Sequence, residues 1–67
     1  MNFHPGDIVL DKRGRELELE GRNQCRRKMW TAFPLKDGKA QKDKWAIVTE
    51  DEIVAVKRPA GFQYILA

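Results

Sequence analysis

Apolar and polar residues alternate with a period of two along short segments of this chain, and turn residues separate the segments. The clearest case is residues 15–21, where Leu17 and Leu19 alternate with three glutamates. Because successive side chains of a strand point to opposite faces, this alternation predicts a strand that buries its two leucines. A helix is the alternative, but about seven residues between two glycines are too few for a stable helix. The segment is therefore predicted to be a strand.

The same pattern predicts strands along the rest of the chain. They cover residues 7–12, 15–21, 28–35, 44–49 and 53–57, and residues 62–66 add a last strand or a tail. A Lys12-Arg13-Gly14 turn joins the first two strands, and Asp37-Gly38 marks a turn followed by an exposed loop to Lys44. Pro34 cannot donate a ladder hydrogen bond, so the third strand is predicted to end there or to lie at an edge.

The segment Thr49-Glu50-Asp51-Glu52 has the pattern of a single helical turn. Thr49 is a favourable N-cap, whose hydroxyl is expected to accept a hydrogen bond from the backbone N–H near Glu52. Five or six short strands joined by tight turns predict a mainly β, antiparallel barrel or sandwich. With 67 residues, the chain is long enough for one domain, spanning residues 1–67.

Two motifs resemble the SH3-like small barrels, including the KOW-type modules of translation and transcription proteins. Gly6-Asp7-Ile8-Val9 is similar to the opening of their first strand, and residues 49–52 before Ile53-Val54-Ala55-Val56 are similar to the short helical turn before their last core strand. The resemblance covers about residues 3–57 and implies a five- to six-stranded SH3-like barrel; small phage and prophage proteins look similar. The glycine spacing of a KOW motif and the tyrosines of a peptide-binding SH3 groove do not match, so no residue role is carried over.

Composition limits the chemistry. Cys25 is the only cysteine and His4 the only histidine, which excludes a disulfide within the chain and leaves too few ligands for structural zinc. No apolar run approaches the roughly 18 residues of a membrane span, and no basic and apolar leader opens the chain. We therefore expect a cytoplasmic, non-enzymatic protein with no cofactor, metal, membrane partner or catalytic residue. A Cys25–His4 pair is conceivable only if folding brings the two together.

Charge is distributed unevenly along the chain. The formal net charge is +3, but residues 22–44 contain eight basic and two acidic side chains, which gives that segment +6. Glu50-Asp51-Glu52 is acidic in contrast. Such polarity can steer a polyanion to one side of a molecule, although charges also simply solvate a small domain.

A cluster of basic and aromatic residues is the main predicted site, with a nucleic acid as partner. Lysine and arginine neutralise phosphates, and an exposed indole offers a stacking surface for an unpaired base. Trp30 is placed opposite Met29 and Phe33, where it can face outward with Trp45 as its cross-strand neighbour; the alternative is that one or both indoles cap the core. The predicted residues are Arg22, Arg26, Arg27, Lys28, Trp30, Lys42, Lys44 and Trp45.

The apolar C-terminal segment 61–67 supports a second hypothesis, a protein partner. It either closes the sheet as a last strand, the preferred reading, or adds a strand to a second copy or another protein. In the second case Phe62, Tyr64 and Leu66 are the contact residues, and a homodimer is one possible outcome.

Overall fold

The computed structural model describes residues 3–22, 28–58 and 61–64, with the backbone alone for Arg58 and Tyr64. This part of the chain forms short strands and one 3₁₀ turn, at Glu50–Glu52. The strands are β1 (Ile8–Asp11), β2 (Glu16–Arg22), β3 (Met29–Lys36), β4 (Lys39–Ala40), β5 (Ala46–Thr49), β6 (Ile53–Arg58) and β7 (Gly61–Tyr64).

Every strand pairs with its neighbours in antiparallel fashion, which confirms the predicted mainly β, antiparallel fold. The hydrogen-bonded order is β4-β3-β2-β1-β6-β7, and β5 pairs with β3 on the same side as β4. Within the described residues, β7 at one end of this order pairs with neither β4 nor β5 at the other. Over the described residues the outer strands are therefore β4 and β5, both beside β3, and β7 beside β6.

The core lies on one face of this sheet. Leu17 and Leu19 are fully buried there, as their alternation with glutamates predicts. Across the sheet they face buried residues from four other strands, and Phe3 packs against the same cluster. The remaining members of the core are Val9, Trp30, Ala32, Val48, Ile53 and Val56.

Pro34 does not end β3, so that prediction is wrong. β3 continues to Lys36 and pairs with β5 through Met29–Ala32 and with β4 through Leu35–Lys36. The Pro34 carbonyl accepts a hydrogen bond from the Gln41 N–H at 2.8 Å. Because the nitrogen and the carbonyl of a strand residue point to the same side, the proline nitrogen also faces this gap between β5 and β4. The missing donor therefore interrupts neither ladder.

The chain reversals match the sequence. Asp37 and Gly38 have φ values of 53° and 78°, and the flanking Lys36 and Lys39 are paired, which is the geometry of a two-residue type I′ hairpin. Gly14 has a φ of 81° in the predicted first turn.

The C-terminal segment is a strand for the residues described. β7 pairs with β6 from Ala55↔Tyr64 to Arg58↔Gly61, which confirms the preferred reading of a last strand. Leu66 lies outside the described residues.

The predicted helical turn is present after β5. Thr49 is its N-cap, in a capping box with Glu52. The Glu52 carboxylate accepts from the Thr49 N–H at 3.1 Å and from the Thr49 hydroxyl at 2.7 Å. These bonds, the hydroxyl first, hold the pKa of Glu52 below its usual value. The turn places Glu50, its first residue, beside the start of β3.

Candidate functional site

Trp30 faces the core and not the solvent, which confirms for this residue the alternative that an indole caps the core; its prediction as an outward indole is wrong. The residue is 2% exposed and pairs with Val48 of β5, and both side chains belong to the buried cluster. The indole keeps one polar contact, a hydrogen bond from its Nε1–H to the Glu50 carboxylate at 2.9 Å. A buried indole whose N–H has a partner is the ordinary arrangement for tryptophan.

Glu50 connects three parts of the fold. Its Oε2 accepts from Trp30 and also from Nη2 of Arg22, at 2.8 Å, while its backbone N–H donates to the Lys28 carbonyl at 2.8 Å. The hydrogen bond from Trp30 is the largest influence on the pKa of Glu50; burial opposes it, and Arg22 adds to it, so the pKa lies below its usual value. Glu50 is therefore a carboxylate at neutral pH and fixes Arg22 in place.

Arg22 lies over the Trp30 ring, with the guanidinium carbon 5.4 Å from the ring centroid. Its side chain is 53% exposed. An ion pair on one side and an aromatic ring beneath restrict this long side chain to one orientation.

A cleft of about 310 Å³ opens beside this arginine, and we call it the Arg22 cleft. Its other walls come from Trp30 and from the segment before β1. That segment is held by Asp7, whose Oδ2 accepts from the His4 N–H at 2.9 Å and lies 3.9 Å from the imidazole Nδ1. The turn-capping role of Asp7 follows from its position in a Pro-Gly-Asp turn. The lining residues are Phe3, His4, Pro5, Arg22 and Trp30.

A second group of predicted site residues lies in residues 36–45, which we call the lysine segment. Trp45 is 65% exposed at its end. The segment is attached to β3 through the Gln41 N–H, and its own turn is closed by a 3.0 Å hydrogen bond from the Lys44 N–H to the Gln41 carbonyl. Its basic side chains are all exposed: Lys36, Lys39, Lys42 and Lys44.

The structure divides the predicted basic cluster into two groups. Arg22 and Lys28 lie at the start of β3, and the lysine segment lies at its other end. Seven residue steps along β3, about 23 Å, separate Met29 from Lys36, whereas Trp45 directly precedes the Ala46↔Ala32 pair and lies about four steps, or about 13 Å, from Met29 along the strand. Trp45 is thus not the cross-strand neighbour of Trp30, because Trp30 faces Val48. Arg26 and Arg27 lie outside the described residues.

The outer face of β3 and β5 also carries apolar groups. Ile47 is 45% exposed opposite Thr31, and Met29 and Phe33 are half-buried on the same face. At the other end of the sheet, Phe62 of β7 is half-buried.

Glu50 is the member of the site that sequence reasoning missed. It was predicted only as part of an acidic stretch. Its partner Trp30 is 20 residues away, and Arg22 is 28 residues away. The pairing of β2 with β3 brings Arg22 to Trp30, the pairing of β3 with β5 brings Glu50 to both, and no local spacing signals the second pairing.

Over residues 3–22, 28–58 and 61–64, no set of three or more His, Cys, Asp or Glu side chains is placed to hold a metal ion. The same residues contain no helix with the length and apolar character needed to cross a membrane. No protein-family model, curated protein or solved structure matches the chain.

Proposed function

We propose that the protein is a non-enzymatic binding module that holds single-stranded nucleic acid on its lysine segment. The observation that carries this proposal is Trp45, which is 65% exposed among exposed lysines. A small domain rarely leaves so large an apolar side chain in water without a partner.

The chemistry of the segment suits an unpaired strand. Base stacking on an exposed indole contributes about 1–3 kcal/mol per base and tolerates any sequence. Lysines beside the indole neutralise phosphates and release counterions. Asp37 and Asp43 reduce the positive charge of the segment, so we expect modest affinity that falls with salt.

Strand pairing and a closed turn hold the lysine segment in position. Trp45 directly precedes β5, which pairs with β3, and the turn before it is closed onto Gln41. A binding side chain on such a support loses less freedom on binding than one on an unattached loop.

The test is binding of a fluorescently labelled single-stranded oligonucleotide, followed by anisotropy. Trp45→Ala should weaken binding by about 5- to 150-fold, the equivalent of one stacked base. Ile47→Ala is the matched control, because it removes an exposed apolar side chain from the same face without removing an aromatic ring. Unchanged affinity in Trp45→Ala, with both variants folded, would refute the proposal.

A protein partner is the second candidate function, and the exposed Ile47 favours it. Together with Trp45 it forms an outward apolar patch, and β7 presents the outer edge of the sheet. The same two variants separate the candidates. If Ile47→Ala and Trp45→Ala both dissociate a complex or a dimer in analytical ultracentrifugation, while oligonucleotide binding is absent, the patch is a protein contact.

A further inference from the structure

We propose that the Arg22 cleft is a second ligand site, which takes a nucleobase carrying a phosphate group. The ligand is a nucleoside monophosphate, either free or as one unit of a strand. This inference goes beyond the proposed function, because it rests on residues before β1, at the end of β2 and at the start of β3, none of which belongs to the lysine segment.

Size is the first argument. The cleft holds about 310 Å³, which lies at the lower end of the range of small-molecule sites. A cleft of this volume suits one nucleotide and not a longer stretch of strand.

The second argument is the chemistry of the walls. Phe3 and Pro5 supply apolar surface, the buried Trp30 contributes only its edge beneath Arg22, and Arg22 and His4 supply the polar groups. Among the residues that the structure describes, none that lines the cleft is acidic. A ligand with a flat apolar ring and an anionic group matches such a wall better than a cationic or purely aliphatic one.

The third argument is the preorganised state of Arg22. The indole of Trp30 lies on one side of its guanidinium, and Glu50 fixes the group through a 2.8 Å ion pair. The arginine still exposes 53% of its side chain next to the cleft. Bases stack on arginine guanidinium planes as they do on aromatic rings, and a plane already held in position loses little entropy on binding.

His4 is the second polar residue of the cleft lining. Its side chain is 73% exposed, while its backbone N–H is tied to Asp7. An imidazole can donate a hydrogen bond to a phosphate oxygen in either tautomer. We therefore assign base stacking to Arg22 and phosphate contact to His4.

The two tryptophans allow each site to be observed separately by NMR. The indole N–H signal of Trp30 reports on the Arg22 cleft, and that of Trp45 reports on the lysine segment. We would titrate the protein with AMP to about 10 mM, ten times the Kd of a weak site. Parallel titrations use adenosine, inorganic phosphate and a deoxyadenylate oligonucleotide.

The expected result is a saturable shift of the Trp30 signal with AMP, weaker with adenosine and absent with phosphate alone. Arg22→Lys keeps the charge but removes the stacking plane, and should weaken AMP binding by about tenfold. His4→Ala should bring the affinity for AMP down to that for adenosine. Arg13→Lys, at an exposed turn position remote from the cleft, is the matched control.

Other outcomes overturn the inference or identify the ligand's source. A Trp30 signal that moves with neither AMP nor oligonucleotide overturns it, as does an Arg13→Lys effect equal to that of Arg22→Lys. A response to AMP alone assigns a free nucleotide, whereas a response to both assigns a nucleotide within a strand. The Trp45 signal decides the proposed function independently: it can respond to the oligonucleotide while Trp30 stays silent, or the reverse.

Discussion

Asp11, at the end of β1, is buried with 2% of its surface exposed, and the chain directs three donors at its carboxylate. Oδ1 accepts from the backbone N–H groups of Arg13 and Arg15 at 2.9 and 2.8 Å, and Oδ2 accepts from Nε of Arg15 at 2.7 Å. The Asp11 carbonyl also accepts from the Gly14 N–H at 3.0 Å. A buried carboxylate with this many partners determines the path of the β1–β2 turn.

Asp11→Asn should therefore destabilise the protein at neutral pH by about 2 kcal/mol, because an amide NH₂ replaces one oxygen that accepts from these donors. Burial raises the pKa of Asp11, but the hydrogen bonds and charge of Arg15 and the Arg13 N–H outweigh burial and lower it. A carboxyl whose folded pKa is lowered stabilises the fold above its unfolded pKa of about 3.9, and this contribution is lost as the pH falls through the folded value.

Urea unfolding across a pH series measures this effect. The difference in unfolding free energy between wild type and Asp11→Asn should be largest near neutral pH and shrink in acid. Asp43→Asn, an exposed carboxylate in the lysine segment, is the control and should change stability little. An equally large difference at every pH would contradict the assignment to ionised Asp11.

At the scale of elements, the turn of the β3–β4 hairpin requires a left-handed backbone conformation at Gly38. A Cβ at Gly38 would meet no atom within 4 Å, yet its φ is 78°. Gly38→Ala should therefore cost about 1–2 kcal/mol from the left-handed conformation and nothing from crowding.

Gly21→Ala is the matched control for that substitution. A Cβ there also meets no atom within 4 Å, but Gly21 lies in β2 without a positive φ. Alanine at this position should leave the thermal midpoint unchanged or raise it slightly, since it restricts the unfolded chain. Equal losses in the two variants would show that φ is not the cause.

The strands could be predicted because their signals are local. Leu17 and Leu19 alternate with charged residues, and the dipeptide Asp37-Gly38 is typical of a two-residue type I′ turn. The direction of Trp30 could not be predicted in this way, because apolar residues occupy both faces of β3. Its burial follows from the pairing with β5, and so does its contact with Glu50. Pairing between distant strands has no local sequence signal, so the candidate site was predicted less well than the strands.

At the scale of the whole molecule, basic side chains lie at both ends of strand β3. The two ends of β3, Met29 beside Lys28 and Lys36 in the lysine segment, are about 23 Å apart in a molecule whose longest dimension is 32 Å. A nucleic acid that contacts Lys28 and Lys36 together must span this length of β3. For a single strand whose bases stay stacked at the duplex spacing of about 3.4 Å per nucleotide, that length is about seven nucleotides.

Salt dependence should therefore change with oligonucleotide length. For a single strand of about 12 nucleotides, Lys28→Ala and Lys42→Ala should each reduce the slope of log K against log salt by about 0.7, the loss of one phosphate contact. For a strand of about four nucleotides, bound at Trp45, Lys42→Ala should keep its effect and Lys28→Ala should lose it. Lys57→Ala, at an exposed side chain of β6, changes the net charge equally and should leave both slopes unchanged. If Lys57→Ala lowers the slope as much as Lys42→Ala, the net charge of the protein attracts the oligonucleotide, and a binding path along β3 is wrong. If Lys28→Ala changes the slope equally for the oligonucleotides of about 12 and about four nucleotides, Lys28 and the lysine segment do not bind successive parts of one oligonucleotide.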